Sequence, residues 1–401
     1  SLGMKQVTIL ALAAGLAALL TSCNKDSNAG YYSVHDYALL SQYLNLPPTP
    51  PEFGPQVGAA GASSSILPVN SDMATLGKVL FYDKKLSKDG KIACASCHRQ
   101  EFAFGDNTAL SKGVFDRSGD RNAIALMSVP SISTFYGTNL TDPNAKRFFW
   151  DNRAPTAPAQ CRMSLTDPKE MDMDMAEIVK IVEAQPYYEP LFRMAYTDSE
   201  VTEDRVTNAI SAFVNSIGSL NSRFDQAVKD AHFENSFDVN YQDLPMFTPE
   251  ENLGKQIYMS NCAKCHSYNQ ITPSLDVSNG TLIPLHQASN GLDEHPVDLG
   301  VGAISLYAGH KGTFKVPLLR NIARSAPYMH DGRFSTLEEV VEHYNSGIQP
   351  HENLHHLLKD ADGTPIRLNL LQQEKAALVA FLRTLTDESI LADERYANPF
   401  R

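Results

Sequence analysis

The chain has 401 residues, of which 43% are apolar and 20% charged, the composition of a globular protein large enough for two domains. Its formal net charge is −12 at pH 7, which argues against a nucleic-acid-binding protein, because no basic surface is available to neutralise phosphates. The acidic charge favours a positively charged partner, since surface fields mainly set encounter rates.

The N-terminal segment predicts export. Lys5 precedes an apolar run over residues 7–20, which is too short to span a bilayer comfortably and has the layout of a secretory signal. Leu20-Thr21-Ser22-Cys23 resembles a bacterial lipobox, so residues 1–23 are interpreted as a signal peptide and Cys23 as the lipidated first residue of the mature protein. The alternative is a plain signal peptide in which Cys23 is incidental. We expect a periplasmic or cell-envelope protein whose only membrane contact is this lipid.

Residues 24–70 mix Ser, Gly, Ala and Pro, which predicts a flexible tether with one short helix around residues 36–44. From Ser71 onward the pattern is helical with long irregular connections, and strand-like alternation is scarce. We therefore expect an N-terminal domain over residues 71–221 and a C-terminal domain over residues 222–401.

Apolar residues at three- and four-residue steps predict helices over residues 176–184, 203–220 and 374–385. Thr248-Pro249 predicts a further helix start, because Thr caps a helix and Pro suits its first turn. That helix leads into a Cys-x-x-Cys-His motif at residues 262–266, and the same motif occurs after a helical segment at residues 94–98. This repetition predicts an internal duplication of one helical domain.

The six cysteines do not form a disulfide pattern, because four of them lie in two Cys-x-x-Cys pairs that are each followed by histidine. Covalent c-type haem needs two thiols at this spacing and an imidazole directly after them. A thioredoxin-like pair would not need the histidine twice, and a zinc site would have to join the pairs across two domains. The pattern predicts two haem c groups, one on Cys94, Cys97 and His98 and one on Cys262, Cys265 and His266. Cys161 is left as a free thiol, interpreted as a buried small residue.

Four further segments resemble the bacterial dihaem cytochrome c peroxidases and their relative MauG, in the same order along the chain. They are Leu80-Phe81-Tyr82-Asp83, Phe149-Trp150-Asp151-Asn152-Arg153-Ala154, Phe314-Lys315-Val316-Pro317 and Ala326-Pro327-Tyr328-Met329-His330-Asp331-Gly332. The resemblance implies an all-α, mainly helical fold of two cytochrome c-like haem domains with long irregular loops. It also implies that hydrogen peroxide reacts at the N-terminal haem, while the C-terminal haem takes electrons from a c-type cytochrome or cupredoxin. A homodimer is compatible with it.

The resemblance assigns roles to three residues near the first haem. Trp150, the single tryptophan, would relay electrons between the haems. Glu170, twenty residues later, would move protons on peroxide, and Gln160 would orient the peroxide oxygens. The alternatives are a core tryptophan and a solvated glutamate.

Two positions depart from the peroxidase pattern. Val114 stands where typical members have a distal histidine, so the first haem should have an open position and should not require reductive activation. Tyr344 stands where they have a methionine ligand to the second haem, and MauG uses tyrosine there. An anionic oxygen stabilises oxidised iron, whereas a thioether raises the potential. Met329 and His343 are rival ligands.

The resemblance further implies a calcium ion between the domains, held by Asn122 and by the backbone oxygens of Ser325 and Pro327, which are ligands that calcium prefers. An inserted stretch around residues 136–146 lies next to that region. Lys315 matches a basic residue near the C-terminal haem, with surface solvation as the alternative.

A histidine cluster offers a separate site. His351, His355 and His356 are interpreted as solvated, with a metal site as the alternative.

Three functions remain. The first is a peroxidase supplied with electrons by a small redox protein. The second, suggested by Val114 and Tyr344, is a MauG-like oxidase of a protein or organic substrate. The third is a non-catalytic dihaem electron carrier, which the missing distal ligand disfavours.

Overall fold

The structure is a computed structural model that describes residues 37, 40–47, 49, 51–53, 70–127, 148–233, 236–266, 275–278, 281–284 and 286–400. The predicted signal peptide with Cys23 and the inserted stretch around residues 136–146 lie outside the described residues. Within the described ranges, no helix combines the length and the apolar character that crossing a bilayer requires.

Helices dominate both halves of the chain. The first half contains α1 (Ser71–Tyr82), α2 (Cys94–Cys97), α3 (Ala157–Thr166), α4 (Met175–Glu183), α5 (Tyr188–Tyr196) and α6 (Glu203–Ser216). The second half contains α7 (Arg223–Asp230), α8 (Pro249–Asn261), α9 (Ala263–His266), α10 (Val301–Ser305), α11 (Leu337–Glu342), α12 (Gln372–Thr384) and α13 (Glu388–Leu391). Long irregular connections join them, as predicted.

The described strands are short and form two antiparallel pairs. The first pair joins β1 (Leu275–Ser278) to β2 (Thr281–Pro284), and the second joins β3 (Gln287–Ala288) to β4 (Phe314–Lys315). The mainly helical fold predicted from the sequence is confirmed.

The predicted helix signals act as expected. The Thr248 side chain accepts a hydrogen bond from the Glu251 N–H, and the Glu251 side chain accepts one from the Thr248 N–H, so α8 begins with a capping box. The helix predicted to reach residue 220 ends at Ser216, because Ile217 leaves the helical region with ψ of 81° and Gly218 follows.

Each half has the same close helix crossing. In the first half, a Cβ on Gly77 would lie 1.8 Å from the Ala209 carbonyl oxygen of α6. In the second half, a Cβ on Gly254 would lie 1.9 Å from the Ala377 carbonyl oxygen of α12. Only glycine allows backbones to approach this closely. The repeated crossing supports the predicted internal duplication.

Two separate apolar cores surround these crossings. The first core runs along the chain as far as Ile217, and the second begins at Phe224. The end of the chain returns to the first core, where the Tyr396 ring lies 5.6 Å from the Phe53 ring and 6.1 Å from the Phe213 ring.

Part of the predicted tether belongs to this first core. Tyr37, Leu40, Leu44 and Phe53 are buried there, and Leu44 forms a bridge with Phe400. The prediction of a flexible segment is wrong for these residues. Their apolar side chains gain burial against the returning C-terminal residues, a contact that the composition of residues 24–70 does not reveal.

Candidate active site

His98 is the residue predicted as the proximal ligand of the first haem. The short helix α2 carries Cys94 and Cys97, and His98 follows it directly. The His98 Nδ1 donates to the Phe104 carbonyl oxygen at 2.8 Å, which leaves Nε2 as the atom able to bind iron. Burial lowers the pKa of His98, which keeps the imidazole neutral. These residues fit covalently bound haem c.

The second motif has the same arrangement. Cys262 caps the end of α8, so the helix that begins at the predicted Thr248 cap delivers the motif to its position. The His266 Nδ1 donates to the Pro317 carbonyl oxygen at 2.9 Å, and burial lowers the pKa of this imidazole as well. His266 therefore also presents Nε2, and this site fits a second haem c.

The structure brings Glu170 to the first motif. Burial raises the pKa of the Cys94 and Cys97 thiols, and the nearby Glu170 carboxyl group adds to both rises. Burial also raises the pKa of Glu170 to about 7, although a hydrogen bond from the Ser164 hydroxyl and the charge of Arg153 lower it. A carboxyl group that titrates near neutral pH beside the haem attachment can exchange protons there.

Val114 lies directly beside Glu170. The Val114 N–H donates to the Glu170 carbonyl oxygen at 2.9 Å, and the Val114 side chain is fully buried. A Cβ on the preceding Gly113 would lie 2.0 Å from the Lys169 carbonyl oxygen, so the two backbone segments pack tightly. The position predicted to lack a distal ligand is thus next to the predicted proton-transfer residue, and it offers no atom that can bind iron.

Gln160 and Ser164 share one face of α3, because they are four residues apart. The helix begins at Thr156, whose side chain accepts from the Ala159 N–H, and ends four residues before Glu170. Gln160 is partly buried. The sequence analysis missed Ser164, although its helical spacing from Gln160 is a signal that could have identified it.

Trp150 lies between the two halves of the chain. Its Nε1–H donates to the Asn122 carbonyl oxygen at 2.9 Å. Its own carbonyl oxygen accepts from the Lys315 N–H of β4 at 2.7 Å. The side chain of Trp150 is thus held by the first half of the chain and its backbone by the second half.

These two contacts extend toward both proximal histidines. On one side, Pro317 follows Lys315 by two residues, and its carbonyl accepts from His266. On the other side, Ile124 follows Asn122 by two residues, and its backbone lies close enough to the His98 ring to affect the pKa of that imidazole. Short backbone segments therefore lead from the contacts of Trp150 to both predicted proximal ligands.

Lys315 itself is half-buried beside this connection. Burial lowers the pKa of its side chain to about 8, and its Nζ lies 5.5 Å from the centroid of the Phe148 ring. Its place in β4, close to Pro317, puts it near the second haem site, and its influence on that haem stays a prediction.

The three candidates for the sixth ligand of the second haem lie around one residue. The Asn290 Nδ2 is 3.3 Å from the Tyr344 hydroxyl oxygen and 3.6 Å from the Met329 Sδ. The His343 Nε2 donates to the Asn290 carbonyl oxygen at 3.0 Å. Burial raises the pKa of Tyr344 to about 12, and the Cys265 and Cys262 sulfurs are close enough to add to the rise. Tyr344 thus lies by the second motif, within a π-helical turn of the kind common at functional sites.

The residues predicted to hold calcium lie near the domain boundary. The Asn122 side chain contacts the carbonyl oxygens of Thr108 and Ala109 at 3.1 and 3.2 Å, and its backbone N–H donates to His330. Ala109 and Pro327 line one cavity of about 490 Å³, and Ser325 precedes Pro327 by two residues. Backbone carbonyl oxygens and an asparagine side chain are groups that suit calcium, although here the Asn122 Nδ2 donates to both carbonyl oxygens. The ion stays a prediction.

The histidine cluster is not a metal centre in the described part of the chain, where no group of three His, Cys, Asp or Glu side chains is arranged to hold an ion. His351 is buried rather than solvated, and its Nδ1 lies 3.2 Å from the Ser289 hydroxyl. The metal alternative therefore has no support, and His351 contributes to packing. Cys161 is half-buried, with its Sγ 3.7 Å from the Ser211 hydroxyl.

Comparison with known proteins agrees with this geometry. A family model described as di-haem cytochrome c peroxidase matches residues 71–232. The methylamine utilization protein MauG of Methylorubrum extorquens is 31% identical over 324 residues, which cover 80% of this chain and 80% of that protein. The cytochrome c551 peroxidase of Nitrosomonas europaea is 29% identical over 330 residues, which cover 81% of this chain and 83% of that protein.

Solved structures extend the likeness to the fold. A crystal structure of a MauG-like protein associated with microbial copper homeostasis matches with a TM-score of 0.69 and 30% identity, over 88% of this chain and 98% of that one. The dihaem peroxidase BthA of Burkholderia thailandensis matches with a TM-score of 0.58 and 19% identity, over 86% of this chain and 93% of that one, which is a likeness of the fold alone.

Proposed function

The chain belongs to the dihaem cytochrome c peroxidase and MauG family, and on that premise we propose that it reduces hydrogen peroxide at the haem carried by His98 without prior reductive activation. Enzymes of this family are oxidoreductases that use peroxide, and the family implies two c-type haems. The second haem, on His266, receives electrons from a small redox protein such as a c-type cytochrome or cupredoxin.

The observation that carries the proposal is the position of Glu170 and Val114. The Glu170 carboxyl group, with a pKa of about 7, lies beside Cys94 and Cys97, where the first haem would be attached. The neighbouring Val114 side chain has no atom that can coordinate the iron. When bound, the haem supplies the iron and the electrons that cleave the oxygen–oxygen bond. The Glu170 carboxylate takes a proton from one peroxide oxygen and returns it to the other, and the Gln160 amide orients both oxygens.

Trp150 connects the two haems in this proposal. Hydrogen bonds to Asn122 and Lys315 fix the indole and its backbone between the domains. The segment after Lys315 hydrogen-bonds to His266 through Pro317, and the segment after Asn122 brings Ile124 close to His98. This arrangement supports a relay of electrons from the second haem to the first through the indole.

A MauG-like peroxide-dependent oxidase is the second candidate. The observation that favours it is Tyr344, whose hydroxyl lies near the sulfurs of Cys262 and Cys265. A phenolate ligand stabilises oxidised iron and would suit a second haem that shares oxidising equivalents. In this case a protein or organic molecule, rather than a reduced cytochrome, would supply the electrons. A non-catalytic electron carrier has less support, because Val114 provides no sixth ligand.

The deciding experiment mixes stoichiometric hydrogen peroxide with the fully oxidised, haem-loaded protein and follows the visible and near-infrared absorption. We expect a fast spectral change without prior reduction. Sustained turnover with a reduced c-type cytochrome would then support the peroxidase, whereas a long-lived oxidised state without turnover would support the MauG-like oxidase. An oxidised protein that stays inert until one haem is reduced would contradict the open first site.

We also propose that calcium binds near Asn122, Ser325 and Pro327. The Asn122 amide already lies against two backbone carbonyl oxygens, and rotating the amide by half a turn would point its oxygen toward the same centre. Removing the ion with a chelator should change the spectrum of the loaded protein, and added calcium should restore it. An unchanged spectrum, with no calcium found by elemental analysis, would contradict the site.

Export and anchoring at Cys23 are proposed from the sequence. The lipobox-like segment predicts that the protein fractionates with membranes and is released by a Cys23→Ala substitution. Membrane association that persists in the Cys23→Ala protein would contradict the lipid anchor.

A further inference from the structure

Asn290 contacts every candidate for the sixth ligand of the second haem. Its side-chain nitrogen lies 3.3 Å from the Tyr344 oxygen and 3.6 Å from the Met329 sulfur. Its backbone oxygen accepts from the His343 Nε2 at 3.0 Å. One residue therefore contacts all three side chains that the sequence offers as candidates for the sixth ligand.

The backbone on both sides of Asn290 is fixed. The Ser289 carbonyl accepts from the His355 N–H at 3.1 Å, and the Gly291 carbonyl accepts from the Gln349 N–H at 2.8 Å. Gly291 has φ of +64°, and a Cβ there would lie 2.7 Å from the Gln349 carbonyl oxygen. The Asn290 side chain thus projects from a rigid backbone rather than from a free loop.

The contact with the Asn290 backbone occupies the Nε2 of His343. A carbonyl oxygen only accepts hydrogen bonds, so the His343 Nε2 carries a proton, and only Nδ1 keeps a lone pair. This Nδ1 faces the Gly347 backbone of its own helical turn, where a Cβ would lie 3.5 Å from it. The His343 ring is buried and packs edge-on against the Tyr344 ring at 5.0 Å between centroids. His343 therefore positions the tyrosine instead of replacing it.

The side-chain amide separates the two remaining candidates. A thioether sulfur accepts hydrogen bonds only weakly, whereas a phenolate oxygen is a strong acceptor. Because the sulfur of Met329 cannot donate, the Asn290 amide presents its N–H group to this pair. An N–H donor shared between the Tyr344 oxygen and the Met329 sulfur therefore stabilises the phenolate form of Tyr344 more than it stabilises the thioether.

We propose that Asn290 is a positioning residue that selects Tyr344 as the sixth ligand of the second haem, with Met329 as the reserve ligand. This rests on the ligation predicted from the sequence and used in the second candidate function, in which Tyr344 binds that iron. Without the amide donor, the preference for oxygen falls and Met329 competes for the iron.

The test compares ligand signatures in the oxidised, haem-loaded protein. We expect Asn290→Leu to shift the ratio of phenolate to thioether ligation by about tenfold, the factor that one hydrogen bond to a charged group supplies. The readouts are the phenolate charge-transfer band, the near-infrared band of thioether-bound ferric haem and the midpoint potential, which should rise because thioether ligation raises it. Asn290→Gln keeps the amide and should restore part of the phenolate signature.

Two further variants separate the inference from its premise. In Tyr344→Phe we expect the thioether signature to replace the phenolate one, and in Tyr344→Phe with Met329→Leu both should be lost. If Asn290→Leu keeps the full phenolate signature and an unchanged potential, the selection by Asn290 is wrong while Tyr344 stands. If Tyr344→Phe leaves spectrum and potential unchanged, Tyr344 is not the ligand and the premise itself fails.

Discussion

At the scale of single residues, the Glu170 carboxyl group gives the proposed reaction its pH dependence. Burial raises the pKa of this group to about 7, so it is protonated below that pH and ionised above it. Only the ionised form can take the peroxide proton. We expect the rate constant for the reaction with peroxide to rise with pH through a midpoint near 7, as measured by stopped-flow absorption on the oxidised protein.

Glu170→Gln should abolish this pH dependence and slow the reaction by about 10²–10⁴-fold, the usual contribution of a general acid–base group. Glu177→Gln is a matched control, because Glu177 is exposed on α4 and pairs with Lys88 at 3.0 Å. The control should react like the unchanged protein. A Glu170→Gln protein with an undiminished rate would remove Glu170 from the mechanism.

In the proposed function, the side chain at position 114 determines whether the iron of the first haem has an open coordination position. The Val114 backbone is hydrogen-bonded to that of Glu170, which lies by the first haem motif. An imidazole introduced at position 114 would therefore lie beside the first haem. We expect Val114→His to give a low-spin, six-coordinate first haem that does not react with peroxide until the second haem is reduced. Electron paramagnetic resonance would report the spin state, and Val114→Ala should stay reactive. If Val114→His remains high-spin and reactive, position 114 is not the distal position.

At the scale of secondary structure elements, the two helix crossings should be equally intolerant of a methyl group. A Cβ on Gly77 or Gly254 would lie within 2 Å of a backbone carbonyl oxygen on the opposite helix. Overpacking of this kind costs on the order of 1–3 kcal/mol or more. We expect Gly77→Ala and Gly254→Ala each to lower the midpoint of thermal unfolding, measured by circular dichroism.

Gly218→Ala is the matched control for both crossings. The nearest atom to a Cβ at Gly218 is 4.0 Å away, in ordinary contact distance, so this substitution should leave the midpoint unchanged or slightly raised. If all three substitutions have the same effect, the close crossings do not limit stability.

The sequence predicts those features whose signal lies within a few neighbouring residues, and it misses those that depend on contacts between distant residues. The capping signals at Thr248 and the spacing of Cys94, Cys97 and His98 lie within a few residues, and the structure has the corresponding helix and motif. Asn290 was missed because its importance comes from contacts with residues 39 and 54 positions away along the chain, whereas Ser164 had a local signal in its helical spacing from Gln160. The burial of the predicted tether was missed for the same reason, since its partners lie at the other end of the chain.

At the scale of the whole molecule, the domains are joined by ion pairs close to Trp150. The Arg121 guanidinium contacts Asp151 of the first domain at 2.6 Å and Asp298 of the second at 2.7 Å. Asp151 is almost fully buried and directly follows Trp150, and Asp298 precedes the bridge between Gly300 and Thr313. Arg121 and Asp298 are only half-buried, but breaking the pair with Asp151 would leave a buried charge without a partner, which is costly. The two ion pairs therefore restrain the two halves of the chain close to the indole.

A rigid connection of this kind makes Trp150 testable as a relay. Trp150→Phe keeps an aromatic ring but removes the Nε1 donor to Asn122 and the more easily oxidised indole, while the backbone bond to Lys315 remains. We expect the first haem to react with peroxide at its usual rate. Electron transfer from the reduced second haem should slow by about tenfold or more, equivalent to ~1.4 kcal/mol in the barrier.

Stopped-flow spectra of the half-reduced protein can follow both haems in the same reaction, so the two rates are measured together. A slow first step as well as a slow second step would mean that the substitution disturbs the first site rather than the relay. If both steps keep their normal rates, electrons pass between the domains without the indole. The segments from Asn122 to Ile124 and from Lys315 to Pro317, which lie against His98 and His266, would then be the remaining connection.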